Sequence, residues 1–160
     1  MKEVKIESTI YVYDSLEELP SETQLLMGKA AEAREKAYAP YSNFQVGTAL
    51  LLDNNEIITG SNQENASYPS GLCAERTAIY YANSQYPNAK ILSMAITAGS
   101  KNNKTTSPIP PCGACRQAIA EYEVKQDAPI EIYFMGEIGK VAKSNSLSNL
   151  LPLIFDKSVL

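Results

Sequence analysis

Hydrophobic and polar positions predict a strand and then a helix at the start of the chain. Over residues 4–13, apolar side chains alternate with charged and hydroxyl-bearing ones, the pattern of a strand with one apolar face. Ser21 and Gln24 form a candidate capping box for a helix, which repeats apolar residues at helical spacing as far as Pro40. The repeating residues are Leu26, Ala30, Ala33 and Ala37.

Further along the chain, β-rich runs alternate with helical stretches. Residues 46–52 and 56–59 flank a turn cluster and predict a hairpin, whereas the continuously apolar runs 91–98 and 130–134 predict buried strands. Helical patterns cover residues 74–84, 116–122 and a short C-terminal stretch near 147–155. This order predicts an α/β fold in which a mixed sheet has helices on both faces.

Composition narrows the possible classes of function. The chain has 160 residues, enough for one domain with its own core. It contains no histidine, which excludes Ser-His-Asp and Cys-His nucleophile systems and leaves thiolates and carboxylates as metal ligands. A net charge of −4 and a pI of about 4.9 offer no basic surface for polymeric nucleic acid.

The sequence predicts neither a signal peptide nor a membrane span. Charged and apolar residues alternate at the N-terminus, and no apolar run approaches spanning length. An odd number of cysteines without a secretory signal indicates a reducing compartment. We therefore expect a cytoplasmic location, a small-molecule substrate, and no nucleic-acid or membrane partner.

The cysteines carry the clearest chemical signal, because all three lie in two short motifs. These are Cys73-Ala74-Glu75-Arg76 and Pro111-Cys112-Gly113-Ala114-Cys115-Arg116. Three thiolates suit a zinc ion whose fourth position stays open for water, an arrangement typical of catalysis. Cys-x-Glu followed by Pro-Cys-x-x-Cys is the signature of zinc-dependent deaminases, with cysteine in place of the first histidine. We interpret the chain as a hydrolytic deaminase in which Glu75 shuttles protons.

The motif positions also predict the electrostatics of this site. Cys73 and Cys112 should each lie at the start of a helix, where the partial positive charge of the helix N-terminus lowers thiol pKa. Arg76 and Arg116 follow the motifs directly and could tune the charge of the cluster. Without the helix N-termini and the arginines, three thiolates would make zinc a weaker Lewis acid, because their negative charge exceeds the charge of the ion. Each arginine taken alone would be an ordinary surface charge.

Two other readings of the cysteines remain open at this point. A Cys-x-x-Cys pair in an α/β chain is also found in thioredoxin-like redox proteins, but that reading leaves Cys73 unexplained. A structural zinc site usually closes with a fourth Cys or His, and the chain has no candidate for it. Glu75 by itself could simply be a first-turn carboxylate that favours the helix dipole.

Three segments resemble the cytidine deaminases, specifically their small, three-cysteine, homotetrameric type. The segments are 38–47 (YAPYSNFQVG), 62–77 (NQENASYPSGLCAERT) and 111–117 (PCGACRQ). The resemblance covers residues 21–156 and implies a three-layer αβα sandwich with a mixed five-stranded sheet. It also implies deamination of cytidine and deoxycytidine in pyrimidine salvage, with zinc on Cys73, Cys112 and Cys115. Residues 1–20 lie outside it, so we divide the chain into an N-terminal strand extension, 1–20, and a catalytic domain, 21–160.

The resemblance also implies which residues bind the nucleoside. Asn62 and Glu64 would bind the ribose 3′-hydroxyl, and Phe44 would lie near the pyrimidine. A neighbouring subunit would contribute further residues around the nucleoside, so that the tetramer shares its active sites. The remaining substrate-binding positions carried over are Ala66, Tyr68, Ala74 and Phe155.

The residues themselves support only part of this assignment. Asn62 and Glu64 are two positions apart in an extended segment, so both side chains point the same way and can donate to and accept from one hydroxyl. Taken alone, they could instead cap a loop, and the aromatic residues could fill a core or an interface. Two alternative functions remain: a nucleoside-antibiotic deaminase of the blasticidin type, and a noncatalytic zinc-stabilised binding module, which would not need Glu75.

Overall fold

The computed structural model describes all 160 residues and contains one mixed sheet of six strands and three α-helices. The strands are β1 (Tyr11–Tyr13), β2 (Phe44–Leu52), β3 (Ile57–Ser61), β4 (Ile91–Ser100), β5 (Glu131–Met135) and β6 (Val141–Ser144). The helices are α1 (Ser21–Arg34), α2 (Ala74–Gln85) and α3 (Gly113–Gln126). Short 3-10 turns lie at Leu16–Glu18, Tyr68–Ser70, Leu147–Asn149 and Lys157–Val159.

The strand order places two helix N-termini at the same edge of the sheet. The order is β1-β6-β5-β4-β2-β3, and only the β4–β5 pair is parallel. Helix α2 leads into β4 and α3 leads into β5. Each helix returns the chain to the start of its strand, so both helices begin near the carboxyl ends of β4 and β5. In open α/β sheets this is the edge where ligands bind.

Helices cover both faces of the sheet, which confirms the predicted αβα layers. The larger core lies between the sheet and helices α2 and α3, and it includes Leu50, Ile79, Met94, Ile96, Ile119 and Ile132. The smaller core lies under α1 and includes Leu26, Met27, Ala30, Ala49 and Ala95. None of the helices is both long enough and apolar enough to cross a membrane.

The strand count differs from the predicted five, because β1 joins the edge of the sheet beside β6. The strand predicted over residues 4–13 shrinks to Tyr11–Tyr13, which pairs with Val141–Lys143. Strand β6 ends at Ser144, so the residues before Tyr11 have no neighbouring strand to pair with. Strand β6 itself is only four residues long and was not predicted.

Helix ends also differ from the sequence prediction. The capping box is wrong: Pro20 holds the N-cap position of α1, and the Gln24 side chain donates to the Leu19 carbonyl at 2.8 Å. Helix α1 ends at Arg34, well before Pro40. The predicted C-terminal helix is replaced by a single 3-10 turn at Leu147–Asn149, since Pro152 cannot continue a helix.

Candidate metal centre and active site

Three cysteine thiols converge at the edge where α2 and α3 begin. The Sγ atoms of Cys73, Cys112 and Cys115 all lie within 4.8 Å of one another. Cys112 Sγ is 3.9 Å from Cys73 Sγ and 3.5 Å from Cys115 Sγ. Cys115 is fully buried and Cys112 is exposed, so the cluster is open to solvent on one side.

The two helix starts explain why these sulfurs meet. Cys73 is the N-cap residue of α2 and Cys112 is the N-cap residue of α3, as their motif positions predicted. Neither side chain caps its helix by a hydrogen bond, which leaves both sulfurs free to turn towards a metal. Two helix N-termini therefore direct partial positive charge at the cluster and favour the thiolate form.

Close packing of β3 against α2 fixes the position of the first helix start. A Cβ atom added to Gly60 would lie 2.6 Å from the Ala78 nitrogen and 2.7 Å from the Ala74 carbonyl oxygen. Only the absence of a side chain permits this approach. Gly60 therefore sets how closely the first turn of α2, with Cys73 before it, lies against the sheet.

The cluster fits a tetrahedral zinc ion with three thiolate ligands. A Zn–S distance of about 2.3 Å in a tetrahedron separates the sulfurs by about 3.8 Å, close to the two distances given above. Hydrogen bonding with the Cys115 thiol, reinforced by Arg76, lowers the pKa of Cys73 to about 5. The cluster therefore carries a thiolate at neutral pH even without a metal, and it leaves a fourth coordination position open.

Glu75 is a buried carboxylate in the first turn of α2. Only 4 % of the residue is exposed. Burial raises the pKa of Glu75, and the negative charge of Cys73 raises it further. A carboxyl group with a raised pKa beside a candidate metal cluster is suited to accept and release protons. This burial distinguishes Glu75 from an ordinary solvated first-turn glutamate.

The two motif arginines make different contacts. Arg76 Nη2 lies 3.6 Å from Cys73 Sγ, and this contact raises the pKa of Arg76. Arg116 instead donates to two backbone carbonyls, that of Pro111 at 2.8 Å and that of Leu150 at 3.0 Å. The structure thus brings Arg76 to the cluster, whereas Arg116 anchors the loop before Cys112 to the C-terminal segment.

The Asn62 side chain is tied to the start of β2. Its side-chain oxygen accepts from the Val46 nitrogen at 2.8 Å, and its side-chain nitrogen donates to the Phe44 carbonyl at 2.9 Å. Gln63 pairs with Leu72, the residue just before Cys73, in an antiparallel bridge. This pairing, which the sequence alone did not reveal, brings the segment that contains Asn62 beside the residue that precedes Cys73.

The Glu64 carboxylate organises the neighbouring loop. It accepts hydrogen bonds from the Tyr41 nitrogen at 2.8 Å, from the Ser42 nitrogen at 3.3 Å and from the Ser42 hydroxyl. The Ser42 hydroxyl lowers the pKa of Glu64, which stays ionised. Ser42 is not among the predicted site residues, although it lies within the segment 38–47 that carries the resemblance.

A cleft of about 380 Å³ lies beside this loop. Its lining includes Tyr41, Ser42, Asn62, Glu64 and Tyr68. The rings of Tyr41 and Tyr68 meet edge to face with their centroids 6.1 Å apart. The cleft is also lined by Gly71 and Leu72, the two residues before Cys73, and its polar and aromatic groups suit a small polar molecule.

Comparison with known proteins assigns the family. Residues 20–127 match the family model described as the cytidine and deoxycytidylate deaminase zinc-binding region. The chain belongs to this deaminase family. Zinc is the cofactor of the family, and the Cys73, Cys112 and Cys115 cluster could hold it.

Individual deaminases resemble the chain over most of its length. The cytidine deaminase of Halalkalibacterium halodurans is 42% identical over 132 residues, which are 82% of this chain and 92% of that protein. The one from Sporosarcina psychrophila is 37% identical over 85% of this chain and 93% of its own length. A crystal structure of cytidine deaminase from Burkholderia pseudomallei superposes with a TM-score of 0.71 and 36% identity, covering 86% of this chain and all of that one.

The other residues predicted from the deaminase resemblance are divided between the interior and the surface. Ala74 is fully buried at the start of α2, and Phe44 is half-buried at the start of β2. Ala66, Tyr68 and Phe155 are exposed; 76% of Tyr68 and 63% of Phe155 face solvent. Phe155 is held through its backbone carbonyl, which accepts from the Gln117 side chain at 2.8 Å.

Proposed function

We propose that the chain catalyses zinc-dependent hydrolytic deamination of cytidine and deoxycytidine, giving uridine and deoxyuridine plus ammonia. The observation that carries the proposal is the convergence of three thiols at two helix N-termini with the buried carboxyl of Glu75. The relatives described above are named cytidine deaminases, which supports the choice of substrate. Such an activity serves pyrimidine salvage, a cytoplasmic process.

The proposed site residues divide the chemistry between them. Cys73, Cys112 and Cys115 would hold zinc, which would supply a Lewis acid able to lower the pKa of water. Deamination adds water at C4 of the ring and expels ammonia, so protons must move from water to ring N3 and to the leaving amine. Glu75 carries these protons, because it is a carboxyl beside the thiol cluster whose pKa is raised by burial. Arg76 offsets part of the thiolate charge through its contact with Cys73.

Recognition of the sugar is assigned to Asn62 and Glu64. The Glu64 carboxylate is ionised and borders the cleft, so it can accept a hydrogen bond from a ribose hydroxyl. Asn62 holds the start of β2 through the Phe44 carbonyl, and the proposal assigns the Phe44 side chain to contact with the pyrimidine. A site built around a hydroxyl discriminates strongly against ligands that lack one. Free cytosine is therefore a poor substrate.

The active form is proposed to be a homotetramer with shared sites. Tyr68 and Phe155 are large apolar side chains that this chain leaves mostly exposed. Ala66 and Tyr68 of one subunit would border the nucleoside of a neighbour, as would Phe155. In a closed symmetric assembly, every chain contributes to a neighbour's site the same side chains that it receives from a neighbour. Two-fold axes of this kind generate a dihedral tetramer.

An absorbance assay with cytidine tests the function directly. The purified chain with one equivalent of zinc should convert cytidine to uridine and release equimolar ammonia. Glu75→Gln should retain zinc and lose about 10²-fold or more in turnover, the usual scale for acid-base catalysis. Glu121→Gln, an exposed carboxylate on α3, is the matched control and should remain fully active.

The outcomes separate the competing functions. A zinc-loaded chain that releases no ammonia from cytidine or deoxycytidine would be a noncatalytic zinc module. Activity on a nucleoside antibiotic of the blasticidin type, without activity on cytidine, would point to that other class of deaminase. Near-normal turnover by Glu75→Gln would remove the assigned role of this residue.

A further inference from the structure

The first ten residues form an exposed arm without protein partners for its backbone. We call residues 1–10 the N-terminal arm. None of its backbone groups takes part in a backbone hydrogen bond, and its one fixed point is the Thr9 nitrogen, which donates to the Asn149 side chain at 3.0 Å. The apolar side chains of the arm are also exposed, with Val4 at 73% and Ile6 at 51%. Contacts with the rest of the chain therefore stabilise the arm very little.

The arm continues directly into an open edge of the sheet. It leads into β1, the edge strand, whose other side is not covered by a strand. Its sequence keeps the alternation of a strand, although it extends past the end of β6. An exposed edge strand with alternating apolar residues is a template for pairing with another chain. The deaminase family model begins at residue 20, so the arm lies outside the matched region.

We propose that the arm pairs with the arm of a second copy of this chain, as an antiparallel two-stranded ribbon in which Ile6 faces Ile6. In this register Lys5 of each copy faces Glu7 of the other, which gives two cross-strand ion pairs. The apolar side chains Val4, Ile6 and Ile10 of both copies share one face. Residues that face each other across antiparallel strands interact directly, and opposite charges there are stabilising.

Several registers keep the apolar and the charged side chains on opposite faces of the ribbon. The pairing of charges distinguishes the Ile6-centred register from the others. A shift that opposes Lys5 to Lys5 also opposes Glu3 to Glu7, and a shift that opposes Glu7 to Glu7 gives no ion pair. Like charges directly opposite are destabilising. Pairing Val4 with Val4 does oppose Glu3 to Lys5, but it leaves residues 8–10 unpaired. The Ile6-centred register is the one that combines opposite charges with use of residues 2–10.

A ribbon of two strands is only marginally stable by itself, so the association is weak and is measured at high protein concentration. The test compares the full chain with a chain that lacks residues 1–10, using sedimentation velocity over a dilution series. The deletion removes only exposed residues and the single Thr9 contact, so the domain keeps its core. We expect the truncated chain to give a smaller mass or to dissociate at a higher concentration.

Charge reversal distinguishes pairing between copies from effects within one arm. In the structure Lys5 Nζ also lies 2.7 Å from Glu7 Oε1 of the same chain. Lys5→Glu and Glu7→Lys should each weaken the association about tenfold, because two attractive pairs become repulsive. An equimolar mixture of the two variants should recover it, since each arm then faces the opposite charge. If Lys5 and Glu7 acted only within their own chain, mixing the two variants would not restore the association.

Three results would overturn the proposal. The first is identical sedimentation of the full and truncated chains at every concentration. The second is stronger association after truncation, which would mean that Lys5 and Glu7 keep the edge from pairing. The third is a mixture of Lys5→Glu and Glu7→Lys that associates no better than either variant alone. Ammonia release from cytidine by each variant, measured per chain, checks that the domain itself is unchanged.

Discussion

Replacing Gly60 by alanine should damage the metal site without touching a metal ligand. The added Cβ would lie 2.6 Å from the Ala78 nitrogen, whereas an ordinary contact needs at least 3.4 Å, so strand and helix must separate by about 0.8 Å. Either the first turn of α2 moves, carrying Cys73 and Glu75, or the end of β3 moves, carrying Asn62. Both movements displace groups of the proposed site.

The size of the effect follows from that displacement. Overpacking of this kind costs about 1–3 kcal/mol, which lowers the melting temperature by roughly 2–12 °C for a domain of this length. A misplacement near 1 Å can cost about 10²-fold in rate, and metal–ligand distances tolerate shifts of only about 0.2 Å. We therefore expect Gly60→Ala to melt lower, to lose about 10²-fold in kcat/KM and to bind zinc more weakly.

The measurements are thermal unfolding, zinc content after dialysis and the cytidine absorbance assay. Gly28→Ala is the matched control, because nothing lies within 4 Å of its added Cβ in the middle of α1. Alanine there should leave activity intact and should stabilise the helix by about 0.5–1 kcal/mol. Wild-type melting and activity in Gly60→Ala would show that the close packing of β3 against α2 does not control the site.

Three further predictions concern the proposed site directly. Cys112→Ala should lose zinc and, with it, activity; full zinc retention measured by metal analysis would count against the assigned ligands. Ser42→Ala should raise KM several-fold with little change in kcat, because the Glu64 carboxylate loses the hydroxyl that holds it; an unchanged KM in steady-state kinetics would separate Ser42 from substrate binding. Phe155→Ala should raise KM while zinc content stays at one per chain, and unaltered kinetics would remove Phe155 from the shared site.

The metal centre could be predicted from sequence because its determinants are local. Cys73 and Cys112 each precede a helical pattern, and two such helices leading into adjacent parallel strands must begin at the same edge of the sheet. The residue types, the helix starts and the strand order therefore all indicate the same metal site, and none of them depends on contacts between distant segments. The αβα layers were predictable for the same reason, since the apolar strands and helical stretches alternate along the chain.

Contacts between distant segments could not be predicted in this way. The Asn62 side chain replaces part of the backbone pairing of β2, and the sequence around it indicates only a loop. Arg116 directly follows a ligand motif, yet it reaches the Leu150 carbonyl, a partner supplied by the path of the C-terminal segment. A strand pattern such as that of residues 4–13 becomes a strand only where a partner lies beside it, and here β6 is too short.

The positions of the site residues imply that catalysis depends on the fold of one chain, whereas substrate binding depends on the assembly of several copies. The thiol cluster and Glu75 are assembled from α2 and α3 of one chain, and their geometry depends on packing such as that at Gly60. Tyr68 and Phe155 are mostly exposed, so a single chain leaves most of their side-chain surface uncovered. If neighbouring copies supply the walls of the pocket, a chain diluted below its assembly concentration should keep its zinc but lose affinity for cytidine. Zinc content and KM would then respond differently to dilution, which a site complete within one chain does not allow.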